Sequence, residues 1–396
     1  MSTLSAVKPS VTHAASGRIF NFSAGPGCLP EDVLNQIKTD VWNIGGSGIG
    51  ILEHSHRGKV FDRVLGDAVE NFRKISDLPS NYHVLFLTGG ATTQNYMVPA
   101  NLKGDHQTAD YITTGYWAEK AFEHAQLKWF GTPVRESASS KDKNHSYIPD
   151  DSAIKGDPGA AYVHYISNNT IYGTEWHVIE NGVNTWKHRD PVHHADVPLV
   201  CDMSSDIYSR RIDFTKYGMV YAGAQKNLGA AGTTVVVIRD DMAKRHPREL
   251  PWMMQYETFA KEESRPNTPP AAAIYICGLV FKWILGHAQN GRHCLDVIHE
   301  TNIRKAGLVY SAIDDNPGFY KGHAHTHARS LMNLTFRCPT PELDDAFCKE
   351  AGAAGLDGMK GHRSTGGMRA SMYNAMPEAG CKALADFMRE FAKKKG

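Results

Sequence analysis

The sequence predicts an α/β protein with a mostly parallel sheet and a smaller α+β lobe. Short apolar runs alternate with segments of helical periodicity through most of the chain, and this alternation is typical of βα units. The pattern changes after Gly286, and 396 residues are many for a single core. We therefore expect a large domain over residues 31–286 and a small domain made of residues 1–30 and 287–396.

The large domain is predicted to begin with two helices, Leu29–Trp42, for which Pro30 suits the start, and Lys59–Leu78. A Gly-rich connector over Ile44–Ile51 separates them. Buried strands are then predicted with helix-like segments such as Ala118–Lys128 between them, in the order His83–Leu87, Tyr111–Ile112, Tyr162–Ile166, Pro198–Cys201, Met219–Tyr221 and Thr233–Ile238.

The small domain is predicted to alternate helices and strands as well. The segments are a helix over Asp296–Ile313, a strand over Leu331–Phe336, a helix over Pro341–Ala354, a strand over Met368–Met372 and a helix over Pro377–Lys394.

The overall composition predicts a cytoplasmic protein that binds neither nucleic acid nor membranes. Its 43 basic and 42 acidic residues nearly balance, and no apolar run is long enough to cross a bilayer. Seven scattered cysteines without a C-x-x-C pair fit a reducing compartment. The first 17 residues hold Ser and Thr without acids, as transit peptides do, but their scarcity of basic residues favours a flexible tail.

Two histidine clusters contain residue types that bind metals. They are His193-His194-Ala-Asp196 and His323-Ala-His325-Thr-His327. Pro and Gly near both clusters indicate loops and not a helix that would present a ligand pair on one face. We therefore expect solvated loop histidines and no metal.

Asp202 and Lys226 form the central candidate pair. Asp202 follows the strand-like run Leu199-Val-Cys201, and ligand sites in such sheets lie beyond the carboxyl ends of strands. Lys226 lies among small residues in Tyr221–Gly232, where a flat cofactor can approach the backbone. A desolvated lysine forms Schiff bases, and a carboxylate keeps a pyridine nitrogen protonated. Each residue alone also fits an ordinary surface lysine or strand-end acid; their combination with the features below favours the cofactor.

Two further features would serve the same cofactor. Leu87-Thr-Gly-Gly-Ala-Thr-Thr-Gln94 follows a strand and opens a helix, so its N–H groups would bind the cofactor phosphate at Ala91 and Thr92. Trp117, just before a helix, would stack on the cofactor ring, although a core tryptophan is the simpler reading of that residue alone.

Several cationic residues stand beside glycines. They are His56-Arg57, His362-Arg363 and Arg369. Arginine binds carboxylates and phosphates bidentately, so this set suits a small substrate that carries both groups. Ordinary solvated charge is the alternative reading.

Together these residues resemble the phosphoserine aminotransferases, a branch of the class V aminotransferases with the type I pyridoxal-phosphate fold. The resemblance runs from about Ile19 to the C-terminus. It is carried by Asn21-Phe-Ser-Ala-Gly-Pro26, Ser55-His-Arg-Gly-Lys59, Gly115-Tyr-Trp117, Tyr221-Ala-Gly-Ala-Gln-Lys-Asn227, Asn267-Thr-Pro-Pro270, Lys360-Gly-His-Arg363 and Gly367-Met-Arg-Ala-Ser-Met-Tyr-Asn-Ala-Met-Pro377.

The resemblance implies a role for each candidate. Lys226 would bond pyridoxal 5'-phosphate and move the substrate proton, while Asp202 would pair with the ring nitrogen and Trp117 would stack on the ring. The remaining cofactor ligands would be Thr170 at the ring oxygen, Ala91, Thr92 and Gln225 at the phosphate, and Asn267 and Thr268 from the second subunit of a homodimer. The substrate ligands would be Arg369 at the α-carboxylate, His362 and Arg363 at the phosphate, and His56 and Arg57 from the second subunit.

One departure from the family pattern stands at Gly89-Gly-Ala-Thr92. Several family members carry Gly-Gly-Gly-Arg there, and that arginine adds a cation near the substrate phosphate. Thr92 leaves more of this work to Arg57, His362 and Arg363.

The implied reaction moves an amino group between glutamate and 3-phosphohydroxypyruvate, giving O-phospho-L-serine and 2-oxoglutarate. The same chemistry on 4-phosphohydroxy-L-threonine, in vitamin B6 synthesis, is a close variant. The alternatives are a lyase or cysteine desulfurase of the same fold, for which Cys338 and Cys348 lack the expected loop setting, and a binding protein that kept the fold without catalysis.

Overall fold

The computed structural model describes residues 16–131 and 133–396, so residues 1–15 of the expected N-terminal tail lie outside it. The α-helices are Glu31–Asn43 (α1), Lys59–Ser76 (α2), Gly90–Leu102 (α3), Tyr116–Ala125 (α4), Asp240–Ala243 (α5), Tyr256–Lys261 (α6), Ala271–Leu285 (α7), Cys294–Asp314 (α8), Pro341–Ala354 (α9) and Glu378–Lys395 (α10). Single 3₁₀ turns are Ile44–Gly46, Lys128–Phe130, Lys141–Lys143, Asp151–Ala153, Phe214–Lys216, Trp252–Met254 and Thr326–Ala328.

The strands fall into one large sheet and several small ones. They are Phe20–Asn21 (β1), Tyr82–Leu87 (β2), Asp110–Thr113 (β3), Arg135–Ser139 (β4), Val163–Ile166 (β5), Asn168–Asn169 (β6), Thr174–Glu175 (β7), His177–Glu180 (β8), Val183–His188 (β9), Leu199–Asp202 (β10), Tyr217–Gly223 (β11), Thr234–Arg239 (β12), Lys321–Gly322 (β13), Asn333–Arg337 (β14), Leu356–Asp357 (β15) and Met368–Ser371 (β16).

The large sheet has seven strands in the order β2-β12-β11-β10-β5-β3-β4. Strand β12 is antiparallel to both of its neighbours, and every other pair is parallel. The prediction of a mostly parallel sheet is therefore confirmed. The carboxyl ends of β10 and β5 lie side by side, with Asp202 in register with Ile166.

Helices cover both faces of this sheet. Along β12, Val235 and Val237 pack into a cluster with α2 and α7, whereas Val236 and Ile238 pack into a cluster with α3, α4 and α6. Burial on both faces explains why these strands appear in the sequence as unbroken apolar runs.

A separate apolar cluster lies under the three-stranded sheet β13-β14-β16 and helices α9 and α10. Phe20 and Phe22 belong to it, because β1 pairs in parallel with β15. Helix α8 joins the two regions: Ile298 packs in the large cluster and Val309 in this one. The domain boundaries at residues 30 and 286 stay a prediction.

No helix in the described part of the chain combines the length and the apolar character that a membrane span requires.

Candidate active site

Lys226 lies in the turn that follows β11, and its amine is buried. Nζ donates a hydrogen bond to Oγ1 of Thr170 at 2.6 Å. Burial lowers the pKa of Lys226 to about 8, and the nearby carboxylate of Asp202 opposes this shift. The amine is therefore much closer to its neutral, nucleophilic form than that of an exposed lysine.

Asp202 is the last residue of β10, as the sequence predicted for a strand-end ligand. Its Oδ1 accepts the N–H of Ser204 at 2.8 Å, and Oγ of Ser204 accepts the N–H of Gly223 at 3.0 Å. Burial raises the pKa of Asp202, while Lys226 and the bonds from Ser204 lower it. The strand end thus presents a fixed carboxylate beside the lysine.

The turn before α3 has the geometry of an anion site. Gly89 and Gly90 adopt φ of +92° and +71°, a conformation that side chains disfavour. A Cβ on Gly89 would lie 2.0 Å from Oγ1 of Thr93, which instead donates to the carbonyl of Gly89 at 2.9 Å. The first N–H groups of a helix have no intrahelical partner, so Ala91 and Thr92 present donors with the favourable end of the helix dipole.

These features open onto one cavity of about 290 Å³. Nine of the expected site residues line it: Ala91, Thr92, Trp117, Thr170, Asp202, Gln225, Lys226, His362 and Arg369. The end of β10 supplies the acid, and the turn after β11 supplies the lysine. Helix α3 supplies the anion site, and the segment before and within β16 supplies His362 and Arg369. The cavity can therefore hold a flat, phosphate-bearing ring with an anionic substrate beside it.

The cationic wall belongs to the chain segment before and within β16. Nη1 of Arg369 lies 3.5 Å from the carbonyl oxygen of Thr170, and burial lowers the pKa of Arg369. Burial and the positive charges of Arg369 and Arg363 also lower the pKa of His362. Arg363 itself is exposed and does not line the cavity.

The four residues expected from a second subunit lie away from this chain's own cavity. His56 is half-buried, and Arg57, Asn267 and Thr268 are exposed. None of them lines the cavity. Their placement by another subunit stays a prediction.

The structure adds site residues to which sequence reasoning gave no role. Ser204 fixes Asp202, and the aspartate-x-serine spacing is a common local signal for a side chain that bonds the N–H two residues on. Ala24, Gly25 and Asn95 also line the cavity. The N-terminal segment reaches it because Tyr373 donates to the carbonyl of Ala24 at 2.6 Å.

The histidine clusters lie in loops and form no metal site. No group of three or more His, Cys, Asp or Glu residues in the described ranges could hold a metal ion. His194, His325 and His327 are exposed, whereas His323 is half-buried against the ring of Tyr172, with centroids 5.4 Å apart. His193 is half-buried as well, with Nδ1 at 3.0 Å from the carbonyl oxygen of Pro191. The prediction of solvated histidines is therefore wrong for His193 and His323, because the local sequence does not show what covers them.

Comparison with known proteins identifies the family. The class V aminotransferase family model matches residues 19–384. Phosphoserine aminotransferases of Lysinibacillus sphaericus and Desulfatibacillum aliphaticivorans are 47% identical over 377 residues and 48% identical over 379 residues. The matches cover 95% and 96% of this chain and 99% of each relative.

Solved structures agree. The phosphoserine aminotransferase from Bacillus circulans subsp. alkalophilus has a TM-score of 0.88 at 41% identity, covering 96% of this chain and 100% of that one. The pyridoxal-phosphate-bound enzyme from Trichomonas vaginalis has a TM-score of 0.85 at 35% identity, covering 94% of this chain and 100% of that one.

The chain belongs to the class V aminotransferases, with their type I fold, and is a pyridoxal-phosphate-dependent enzyme. Within that family it belongs to the phosphoserine aminotransferases. An amino acid and an oxo acid are its substrates.

The residues present fit the cofactor. Lys226 is buried with its pKa lowered, Asp202 is a buried carboxylate aimed at the same cavity, and the glycine turn before α3 leaves N–H donors for a phosphate. A ring nitrogen, an aldehyde and a phosphate would each meet the partner that its chemistry requires.

Proposed function

We propose that this protein catalyses reversible amino transfer between glutamate and 3-phosphohydroxypyruvate, giving O-phospho-L-serine and 2-oxoglutarate in serine biosynthesis. The buried pair of Lys226 and Asp202, in a cavity with an anion site and cations, is the observation that carries this proposal. The names of the relatives support the substrate, and Arg369 and His362 suit its two acidic ends.

When bound, pyridoxal phosphate supplies a carbonyl that exchanges amines and a ring that accepts the electron pair of a broken Cα–H bond. Asp202 would pair with the ring nitrogen of the cofactor. The N–H groups of Ala91 and Thr92 and the side chain of Gln225 would bind its phosphate, and Trp117 would stack on its ring.

Lys226 moves the substrate proton. As a neutral amine, its Nζ would take the proton from the substrate Cα and later return it to the carbon on the other side of the transferred nitrogen. Thr170 lies within hydrogen-bond distance of Nζ and orients the amine before that exchange. Arg369 holds the α-carboxylate so that Cα faces Nζ.

The second substrate reverses these proton movements. Glutamate and the phosphorylated oxo acid both carry acid groups at two ends, so one set of cations serves both. The loop residues His362 and Arg363 are proposed to hold the distal acid.

A homodimer with shared sites completes the proposal. Arg57, Asn267 and Thr268 are exposed, His56 is half-buried, and none of the four lines the cavity of its own chain. In a dimer they would supply the partner's cavity with phosphate ligands. Amino transfer to 4-phosphohydroxy-L-threonine precursors and a cytoplasmic location remain further predictions.

Purified protein should show a yellow absorption band that glutamate bleaches and 3-phosphohydroxypyruvate restores. Lys226→Ala should abolish turnover, and unimpaired kinetics in that variant would refute the assignment. A desulfurase would release sulfur instead, but none of the seven cysteines lines the 290 Å³ cavity. Labelled glutamate that exchanges no amino group would identify a non-catalytic binder.

A further inference from the structure

His362 is held at one ring nitrogen by the residue two positions along the chain. The backbone N–H of Ser364 donates to Nδ1 of His362 at 3.2 Å. The hydroxyl oxygen of Ser364 lies 2.8 Å from the same nitrogen. Because a peptide N–H can only donate, Nδ1 must accept and carries no proton. In the neutral ring the proton is then on Nε2.

The hydroxyl of Ser364 can donate to the same nitrogen, because its oxygen lies within hydrogen-bond distance of Nδ1. Both donors of Ser364, the peptide N–H and the hydroxyl, then point at Nδ1, and the ring has one orientation.

The charges around His362 oppose its protonation. Arg363 and Arg369 are its charged neighbours, the ring of Tyr116 lies 5.7 Å from its own, and no carboxylate in the described ranges forms an ion pair with it. A proton on Nδ1 would also face the N–H of Ser364, donor against donor. Geometry and charge therefore favour the same neutral tautomer.

We propose that His362 binds the distal acid of the substrate as a neutral donor through Nε2–H, and that Ser364 is the positioning residue that fixes this tautomer. This inference rests on the proposed function. His362 then differs from Arg363 beside it, because it binds without a positive charge. Within this loop, Arg363 alone meets the charge of the substrate phosphate.

Replacing His362 by glutamine and by asparagine tests the proposal, because the two side-chain amides mimic different ring nitrogens. Glutamine places its side-chain nitrogen near the position of Nε2, and asparagine places it near that of Nδ1. We expect the KM of H362N for 3-phosphohydroxypyruvate to exceed that of H362Q by about fivefold, the effect of one hydrogen bond, with similar kcat. Equal KM values, or the lower value in H362N, would overturn the proposal.

The exposed His106, which lies outside the cavity, provides the matched control. H106Q and H106N should not differ in KM. If the unmodified protein transfers no amino group to 3-phosphohydroxypyruvate, the proposed function fails. Equal KM values in two active His362 variants would refute this inference alone.

The pH dependence of KM supplies a second readout. A cationic His362 of ordinary pKa, about 6.5, would lose affinity about tenfold per pH unit above that value. We expect instead a constant ratio of KM between the unmodified protein and H362Q from about pH 6.5 to about pH 8.5. The ratio cancels the ionisation of the substrate. A ratio that changes about fiftyfold across this range would show that the ring binds as a cation.

Ser364 is tested by S364A and the conservative S364T. S364A loses the hydroxyl but keeps the N–H, so we expect KM to rise about threefold with kcat unchanged. S364T should restore the original KM. A KM in S364A equal to that of the unmodified protein would remove Ser364 from this role.

Discussion

The amine of Lys226 should react as a free base near neutral pH. Burial lowers the pKa of Lys226 from 10.5 to about 8. At pH 7 about 9% of such an amine is neutral, against about 0.03% for an exposed lysine. The structure therefore predicts a gain of about 300-fold in reactive amine at this pH.

The rate at which pyridoxal phosphate attaches to cofactor-free protein measures this fraction. The rate should rise with pH and level off above about pH 8, because only the neutral amine attacks the aldehyde. A small primary amine of ordinary pKa, measured in parallel, should still be rising at pH 10. A protein rate that also climbs through pH 10 would contradict the buried environment of Lys226.

Replacing Asp202 by Asn tests the direction in which Asp202 shifts the pKa of Lys226. The carboxylate of Asp202 favours the charged form of Lys226. Removing that carboxylate should therefore move the midpoint of the pH dependence of the attachment rate below pH 8. Asp315, an exposed acid that does not line the cavity, offers a control whose change to Asn leaves the midpoint in place. A midpoint that moves upward in D202N would refute the assigned interaction.

Three further changes follow from the packing. G89A would place Cβ 2.0 Å from Oγ1 of Thr93, so the turn must shift and affinity for pyridoxal phosphate, measured by absorbance titration, should fall at least about tenfold. K305M removes three hydrogen bonds of 2.9 to 3.1 Å from the buried amine of Lys305 to backbone carbonyls, and it should lower the free energy of unfolding in urea by about 2–4 kcal/mol. The control K382M changes a lysine on the surface and should alter this free energy little. F72A empties the centre of an aromatic cluster and should cost about 3–5 kcal/mol in the same assay. Unfolding curves of K305M or F72A that overlay that of the unmodified protein would contradict the packing.

Local signals explain which parts of the fold could be predicted. The β-branched run Thr233–Ile238 was predicted as a strand and is Thr234–Arg239, but its antiparallel direction depends on partners that meet only in the folded chain. Strand β4, Arg135–Ser139, was missed because an edge strand keeps polar side chains. Helix α7, Ala271–Leu285, is apolar on most sides and has no clear helical period to detect.

The same distinction applies to the candidate site, where local signals predict some residues and only the fold brings the others together. Asp202 and Lys226 stand out locally, at a strand end and in a glycine-rich turn. The bond between Lys226 and Thr170, like the contact of Arg369 with the carbonyl of Thr170, joins segments far apart in the chain. Only the fold brings them together.

Burial acts on both members of the central pair, and in opposite directions. It lowers the pKa of Lys226, which makes the amine reactive, but it raises the pKa of Asp202, which threatens the charge that the acid must keep. The N–H of Ser204, 2.8 Å from Oδ1, stabilises the anion without adding a proton that could be transferred. The hydrogen bond from the N–H of Ser204 therefore lets one desolvated cavity hold a readily deprotonated amine beside a charged carboxylate, which neither burial nor the ion pair alone would achieve.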